Sequence, residues 1–322
     1  MRGYESMEVL MRVFTLLIIA VMTAPAAAGD FEHELTVDGL KRTYRVHTPT
    51  SPDGTSPDDK PLPVVIVMHG GGGNAEHMER FDGFNAKADA AGFIVAHPNG
   101  TGRRKFLTWN AGDCCGSAAR THVDDVKFIA AMLDDLAKRY NIDKRRVYAT
   151  GMSNGAMMSY RLAAELADRI AAIAPVSGTM SVHDPKPARP VPILHIHGTA
   201  DSVVPYNGGH GEHTKRIGEH MAVADCIATW RKINRCDTPP TGADLPDQHN
   251  DRTTVHIDRY TPQADGAPIE LWTIEGGGHR WPHKIEGSVP RWLVIVRVEP
   301  MTKEFDAPNV IWDFFKRFEL PE

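Results

Sequence analysis

Apolar positions in this chain follow two rhythms that trade places along most of its length. Phe31 to Val37 and Thr43 to His47 alternate apolar with polar residues around Asp38-Gly39, which predicts a β-hairpin whose turn needs positive φ. After a loop rich in Pro, Asp, Gly and Ser over 52–63, Val64-Val65-Ile66-Val67-Met68 is apolar without a break. A run of that kind belongs to a strand buried on both faces of a parallel sheet. Downstream the pattern predicts helices over 84–91, 123–140, 156–166, 221–233 and 307–318. It predicts strands over 93–96, 147–150, 170–174, 193–196, 255–260 and 269–274. Strand and helix in alternation specify an α/β fold, a mostly parallel central sheet with helices on both faces and an N-terminal antiparallel hairpin. Residues 292–298 read as an extra strand that this order leaves without a place.

Upstream of the hairpin, the apolar run Val13 to Met22 follows Arg12 and precedes Ala26-Ala27-Ala28. It predicts a signal peptide cleaved after Ala28, being shorter than the ~20 apolar residues of a membrane span and broken by Pro25. Met7 and Met11 are alternative starts. The expectation is one catalytic domain over 29–322, secreted or periplasmic, with no membrane association in the mature form. Export also permits disulfides among Cys114, Cys115, Cys226 and Cys236. Joining the adjacent pair would close a strained eight-membered ring, so one or both are expected to reach toward Cys226 or Cys236.

Composition then removes whole classes of function. With 36 basic against 41 acidic residues and a net charge of −5 in 322 residues, the chain lacks the basic surface that nucleic-acid binding requires. Its 42% hydrophobic content supports a sizeable core and excludes disorder.

Candidate chemistry begins at Gly151-Met152-Ser153-Asn154-Gly155, a G-x-S-x-G between predicted strand and predicted helix. Glycines on both sides permit the sharp turn that lifts a serine above a sheet edge, and the helix start offers N–H groups to an oxyanion. The plainer alternative is a helix-capping serine. An ordinary hydroxyl needs a base, and the base an orienting group. Asp201, in His197-Gly198-Thr199-Ala200-Asp201 after the strand over 193–196, and His279, in Gly276-Gly277-Gly278-His279 after the strand over 269–274, supply them. The order Ser, Asp, His is that of α/β-hydrolases. Among 16 histidines, His195, His197, His210, His213 and His283 compete for the base role. His195 and His197 share a strand face without a third ligand nearby, so hydrogen bonding or packing is expected of them, and no metal.

The oxyanion donors are expected to be the N–H of Asn154 and that of Gly71 or Gly72, in His69-Gly70-Gly71-Gly72-Gly73-Asn74. That glycine run formally matches a dinucleotide fingerprint, but Phe93-Ile94-Val95-Ala96-His97-Pro98 carries no acid for a ribose, so no cofactor is expected. Trp109 and Trp281 are candidates to line an apolar substrate cleft. Asp124-Asp125 is read as favouring the N-terminus of the helix that follows.

Together with Trp109 to Gly116 and Val123-Asp124-Asp125-Val126, these blocks resemble the secreted esterase family that holds poly(3-hydroxybutyrate) depolymerases and feruloyl esterases. The resemblance covers nearly all of 29–322 and departs from the family after Pro282, over 285–298. It implies an α/β-hydrolase fold and a Ser153, Asp201, His279 triad that cleaves carboxylic esters without a cofactor. The expected partner is an ester substrate, polymeric or derived from a polymer. A serine peptidase on the same fold and an inactive polymer-binding relative are the alternatives.

Overall fold

The computed structural model describes residues 29–49, 60–212, 214, 218–283 and 299–322; the apolar run over 13–22 and the strand expected over 292–298 lie outside them. β1 (Gly29–Val37) and β2 (Leu40–Thr48) form the expected hairpin. Its turn takes Asp38 to φ 52° and Gly39 to φ 76°. β2 lies antiparallel to β4 (Ile94–Pro98). From β4 the sheet runs parallel through β3 (Leu62–Met68), β7 (Ile142–Met152), β8 (Ala172–Val176), β9 (Ile193–Gly198) and β12 (Ile269–Glu275). Beyond β12, β11 (Thr254–Tyr260) and then β10 (Thr241–Asp244) are antiparallel. The parallel pattern stops there because β10, β11 and β12 follow one another without a helix, and a parallel crossover needs a dozen or more residues.

β3 shows why the apolar run is continuous. Val64, Ile66 and Met68 enter the core under α4 (Asp125–Arg139), α5 (Asn154–Glu165) and α6 (Val223–Ile233). Val65 and Val67 point the other way, to the core under α1 (Ala75–Phe81), α2 (Phe84–Ala91) and α7 (Ala307–Phe315). Each such side chain contributes about 1.5–3 kcal/mol on burial. α7 is fastened by aromatic stacking, with Trp312 4.1 Å from Phe93 and Phe315 4.7 Å from Tyr148 between ring centroids.

The long connection after β4 is ordered by a small hairpin of β5 (Thr101–Arg103) and β6 (Phe106–Thr108), followed by α3 (Gly116–Arg120). The cysteines depart from expectation. Cys114 and Cys115 pair with each other across a cis peptide, and Cys226 and Cys236 are free and buried. Neither of the latter reaches the loop, because the Met180 N–H donates to Cys226 Sγ at 3.4 Å and Cys236 Sγ donates to the Ala267 carbonyl at 3.2 Å, both inside the core.

Candidate active site

β7 passes into α5 through Ser153, which sits at φ 58°, ψ −120°. This left-handed backbone is strained for a residue with a Cβ and persists only where its surroundings hold it. They do so from two sides, β8 and β3. The Ser153 N–H donates to the Val176 carbonyl at 2.9 Å. A Cβ on Gly151 or on Gly155 would lie 2.5 or 2.2 Å from the Met68 carbonyl oxygen, so only glycines let β3 and the elbow approach this closely. The Ser153 hydroxyl does not cap α5, which removes the plain capping reading. It stands half-buried at the carboxyl rim of the sheet.

Asp201 and His279 arrive at the same rim from β9 and β12, which pair in parallel with each other. Asp201 is 5% exposed and His279 4%. The N–H groups of Val203 and Val204 donate to Asp201 Oδ1 at 2.9 and 2.7 Å, which fixes the carboxylate. Asp201 Oδ2 lies 2.8 Å from His279 Nδ1. An ionised carboxylate only accepts, so Nδ1 carries the proton and Nε2 keeps its lone pair. Burial alone would raise the Asp201 carboxyl, but the His279 and His197 imidazoles outweigh it and hold the group well below the usual carboxylate range. The Glu299 carboxylate accepts from the His279 N–H and from the Ser202 hydroxyl, stapling the two loops together. Among the described residues no hydrogen bond joins the Ser153 hydroxyl to His279, and in hydrolases without substrate that contact is often long.

The remaining histidines divide by partner. His195 and His197 are hydrogen-bonded to each other at 3.1 Å, His283 pairs with Asp306 at 2.5 Å, and His210 is exposed beside the Gly218 carbonyl. His213 lies outside the described residues.

The glycine loop follows β3. A turn closes it, the Gly73 N–H donating to the Gly70 carbonyl at 3.0 Å. Gly71 stands over the start of α5, where an added Cβ would be 3.7 Å from that of Asn154. The Asn154 N–H belongs to the first turn of α5, whose N–H groups have no intrahelical partner. Gly72 is a correction to the expected pair, since its N–H donates to the Leu107 carbonyl at 2.7 Å and is spent on holding β6. Of the two glycines, Gly71 is left.

Both tryptophans are corrections as well. Trp109 is fully buried, its Nε1 donating to the His69 carbonyl at 2.9 Å and its ring 5.0 Å from the His69 ring. Trp281 is 3% exposed and donates to the Asp82 carbonyl at 3.1 Å. Neither lines a cleft, because each indole N–H needs a buried partner and found one beneath the loops.

Side-chain contacts that sequence reasoning did not assign hold this scaffold. The Asn154 side chain accepts from the Trp109 N–H at 2.7 Å and donates to its carbonyl at 3.1 Å. His69 donates from Nδ1 to the Gly70 carbonyl at 2.8 Å and accepts the Gly100 N–H on Nε2 at 3.0 Å; burial pushes it down to about 4, so it stays neutral. Asp124 caps α4 by accepting the Lys127 N–H, as expected of an acid at a helix start. Asp125 does more: fully buried, it pairs with Arg42 at 2.6 Å and accepts the Asn110 N–H at 2.7 Å. The signal for Asp125 was an acid on the apolar stripe of α4; Glu299, far along the chain, left none.

With this geometry in place, likeness to other proteins becomes informative. The family model described as phospholipase/carboxylesterase matches residues 54–221. Feruloyl esterase B of Piromyces equi is 32% identical over 269 residues, covering 82% of this chain and 43% of that protein. The bifunctional acetylxylan esterase/xylanase XynS20E of Neocallimastix patriciarum is 29% identical over 254 residues, covering 78% and 32%. The chain thus spans less than half the length of either relative. Acetyl xylan esterase from Aspergillus awamori superposes with a TM-score of 0.53 at 15% identity, covering 77% of this chain and 94% of that one, a likeness of fold alone. Among the described residues no helix is long and apolar enough to cross a membrane.

Proposed function

The chain belongs to the phospholipase/carboxylesterase family and is a carboxylic ester hydrolase of the α/β-hydrolase fold, and from that premise we propose that Ser153, Asp201 and His279 are its catalytic triad. The reading rests on one observation above the others. Asp201 and His279, 78 residues apart, hydrogen-bond at the carboxyl rim where Ser153 stands in its left-handed elbow.

His279 Nε2 takes the proton of the Ser153 hydroxyl as the oxygen attacks the ester carbonyl carbon. The oxyanion so formed accepts from the N–H groups of Asn154 and Gly71. Collapse breaks the bond to the alcohol, which leaves with the proton from His279. Water then gives a proton to His279 as it attacks the acyl-serine carbonyl; collapse breaks the acyl–Oγ bond, His279 returns the proton to the Ser153 oxygen, and the carboxylic acid is released. Asp201 keeps the imidazole in the one tautomer that can serve, and stays ionised throughout.

The substrate class we propose is an ester of a plant-polysaccharide acid, feruloyl or acetyl, borne by a polymer or a fragment of one. The printed names of two relatives, a feruloyl esterase and an acetylxylan esterase/xylanase, support it over a hydroxybutyrate polyester. Enzymes of such substrates act outside the cell, in keeping with the signal peptide read at 1–28 and one catalytic domain over 29–322. Ser153→Ala is expected to lower hydrolysis of p-nitrophenyl acetate by a factor on the order of 10³ or more, with the fold unchanged by circular dichroism. Retained activity in that variant would overturn the assignment. A panel of feruloylated, acetylated and hydroxybutyrate esters then decides the class, and a preference for the hydroxybutyrate ester would reject it.

A further inference from the structure

Behind Asp201 a row of buried polar side chains runs back into the core. Tyr160 Oη, on α5, lies 2.8 Å from His195 Nδ1. His195 Nε2 lies 3.1 Å from His197 Nδ1. His197 Nε2 lies 2.9 Å from the Val204 carbonyl oxygen and 3.3 Å from Asp201 Oδ2. Tyr160, His195 and His197 are all wholly buried.

The direction of every bond in this row follows from its far end. A carbonyl and a carboxylate can only accept, so His197 Nε2 carries a proton, and in the neutral ring Nδ1 then accepts. His195 therefore donates from Nε2 and accepts on Nδ1, which leaves the Tyr160 hydroxyl as the donor at the head. Burial and the neighbouring His197 keep His195 neutral, consistent with this assignment. Two imidazoles and a phenol are costly to bury where apolar residues would pack as well, and a fully satisfied network of this kind specifies one geometry.

We infer that His197 is a positioning residue of the reaction, a second imidazole that grips Asp201 and ties it, through His195 and Tyr160, to the helix that begins at Ser153. Tyr160 lies about two turns into α5 from the nucleophile. The row therefore spans from the nucleophile's helix to the acid, and sets the distance between Ser153 and the carboxylate that aims His279. The inference rests on the triad reading above. Other titratable groups face the same place: Glu299 on the His279 backbone, and His220, from the connection before α6, kept toward its neutral form by burial within the field of Asp201, His279 and His197. The Tyr206 ring stands edge-on to His197 at 5.9 Å.

The test compares kcat and KM for p-nitrophenyl acetate across pH in His197→Leu, His197→Gln, Tyr160→Phe and Ser153→Ala. His197→Leu is expected to lower kcat by about tenfold or more with KM little changed, the mark of an interaction made in the transition state. With one of its two imidazole partners gone the Asp201 carboxylate shares its charge with His279 alone and stabilises the imidazolium more strongly, so the acid limb of kcat/KM moves to higher pH. His197→Gln, which restores a donor to Asp201, recovers most of the loss, and Tyr160→Phe gives a smaller shift in the same direction. An unchanged pH profile in Tyr160→Phe and His197→Leu overturns the inference, as does a loss equal at every pH that Gln does not relieve. Should His197→Leu not fold, Tyr160→Phe alone decides. Full activity in Ser153→Ala would instead bring down the triad, whereas loss in Ser153→Ala beside indifferent His197 and Tyr160 variants brings down this inference only.

Discussion

Asn154 carries two duties in one residue, with its backbone N–H facing the proposed oxyanion and its side chain closed on both polar groups of Trp109. The second duty is structural and measurable. Asn154→Ala leaves the buried Trp109 N–H without a partner, at a cost of about 1–3 kcal/mol, while the Trp109 carbonyl keeps the Cys115 N–H at 3.0 Å. Chemical denaturation should show a loss of that order, and kcat should fall because the chain over Trp109 no longer holds the loop beside the nucleophile. Unchanged stability would mean that water replaces the clamp. The two tryptophans carry a residue-scale lesson. A tryptophan near a motif has the same appearance in sequence whether it faces substrate or core, and only the location of an acceptor for its N–H separates the cases.

At the scale of elements, one buried carboxylate of α4, that of Asp125, reaches both the N-terminal hairpin and the loop after β6, alongside the Tyr44–Asp135 and Asp38–Lys127 contacts to the same hairpin. Asp125→Ala would strand the buried Arg42 guanidinium, which lies 3.9 Å above the Phe128 ring, at a cost of about 3–5 kcal/mol. The double variant Asp125→Leu with Arg42→Met should recover much of it, since an apolar pair of similar volume is often as stable. Melting temperatures of the two variants check both statements; equal losses would contradict them. The elements themselves were legible because their signals are local: the unbroken run of β3, the Asp38-Gly39 turn, and the glycines around Ser153. What sequence did not yield depends on contacts between distant segments. The antiparallel placement of β10 and β11, the grip of Asp125 on Asn110 and of Glu299 on His279, and the pairing of Cys114 with Cys115 instead of Cys226 or Cys236 have no periodicity to announce them. The proposed triad residues stood out because their motifs sit at strand ends, where α/β sheets gather their chemistry.

The whole molecule should lose stability in acid, and the sign follows from its buried groups. Burial holds His69 at about 4 against an ordinary 6.5, and depresses His195 as well. Between those values the unfolded chain binds a proton that the folded chain refuses. Stability is therefore full above 6.5 and declines as pH falls toward 4, by about 3 kcal/mol at His69 once both states are protonated. Asp201, depressed below its ordinary 3.8, adds stability present above that value and lost as pH falls through its folded one. Melting curves taken from pH 7 to about 4 should show the decline, and a flat melting temperature would mean that these imidazoles are charged in the fold.

The outer limits of the sheet have a consequence for how copies of this protein behave together. Among the described residues β1 and β10 are its outermost strands. β1 turns Asp30, Glu32 and Glu34 outward, and β10 is four exposed residues ending on Asp244. Like charges and a short rim discourage one molecule from extending the ladder of the next, the usual route to fibrous aggregates. An esterase built this way can be crowded to high local concentration and still come apart as separate, folded molecules.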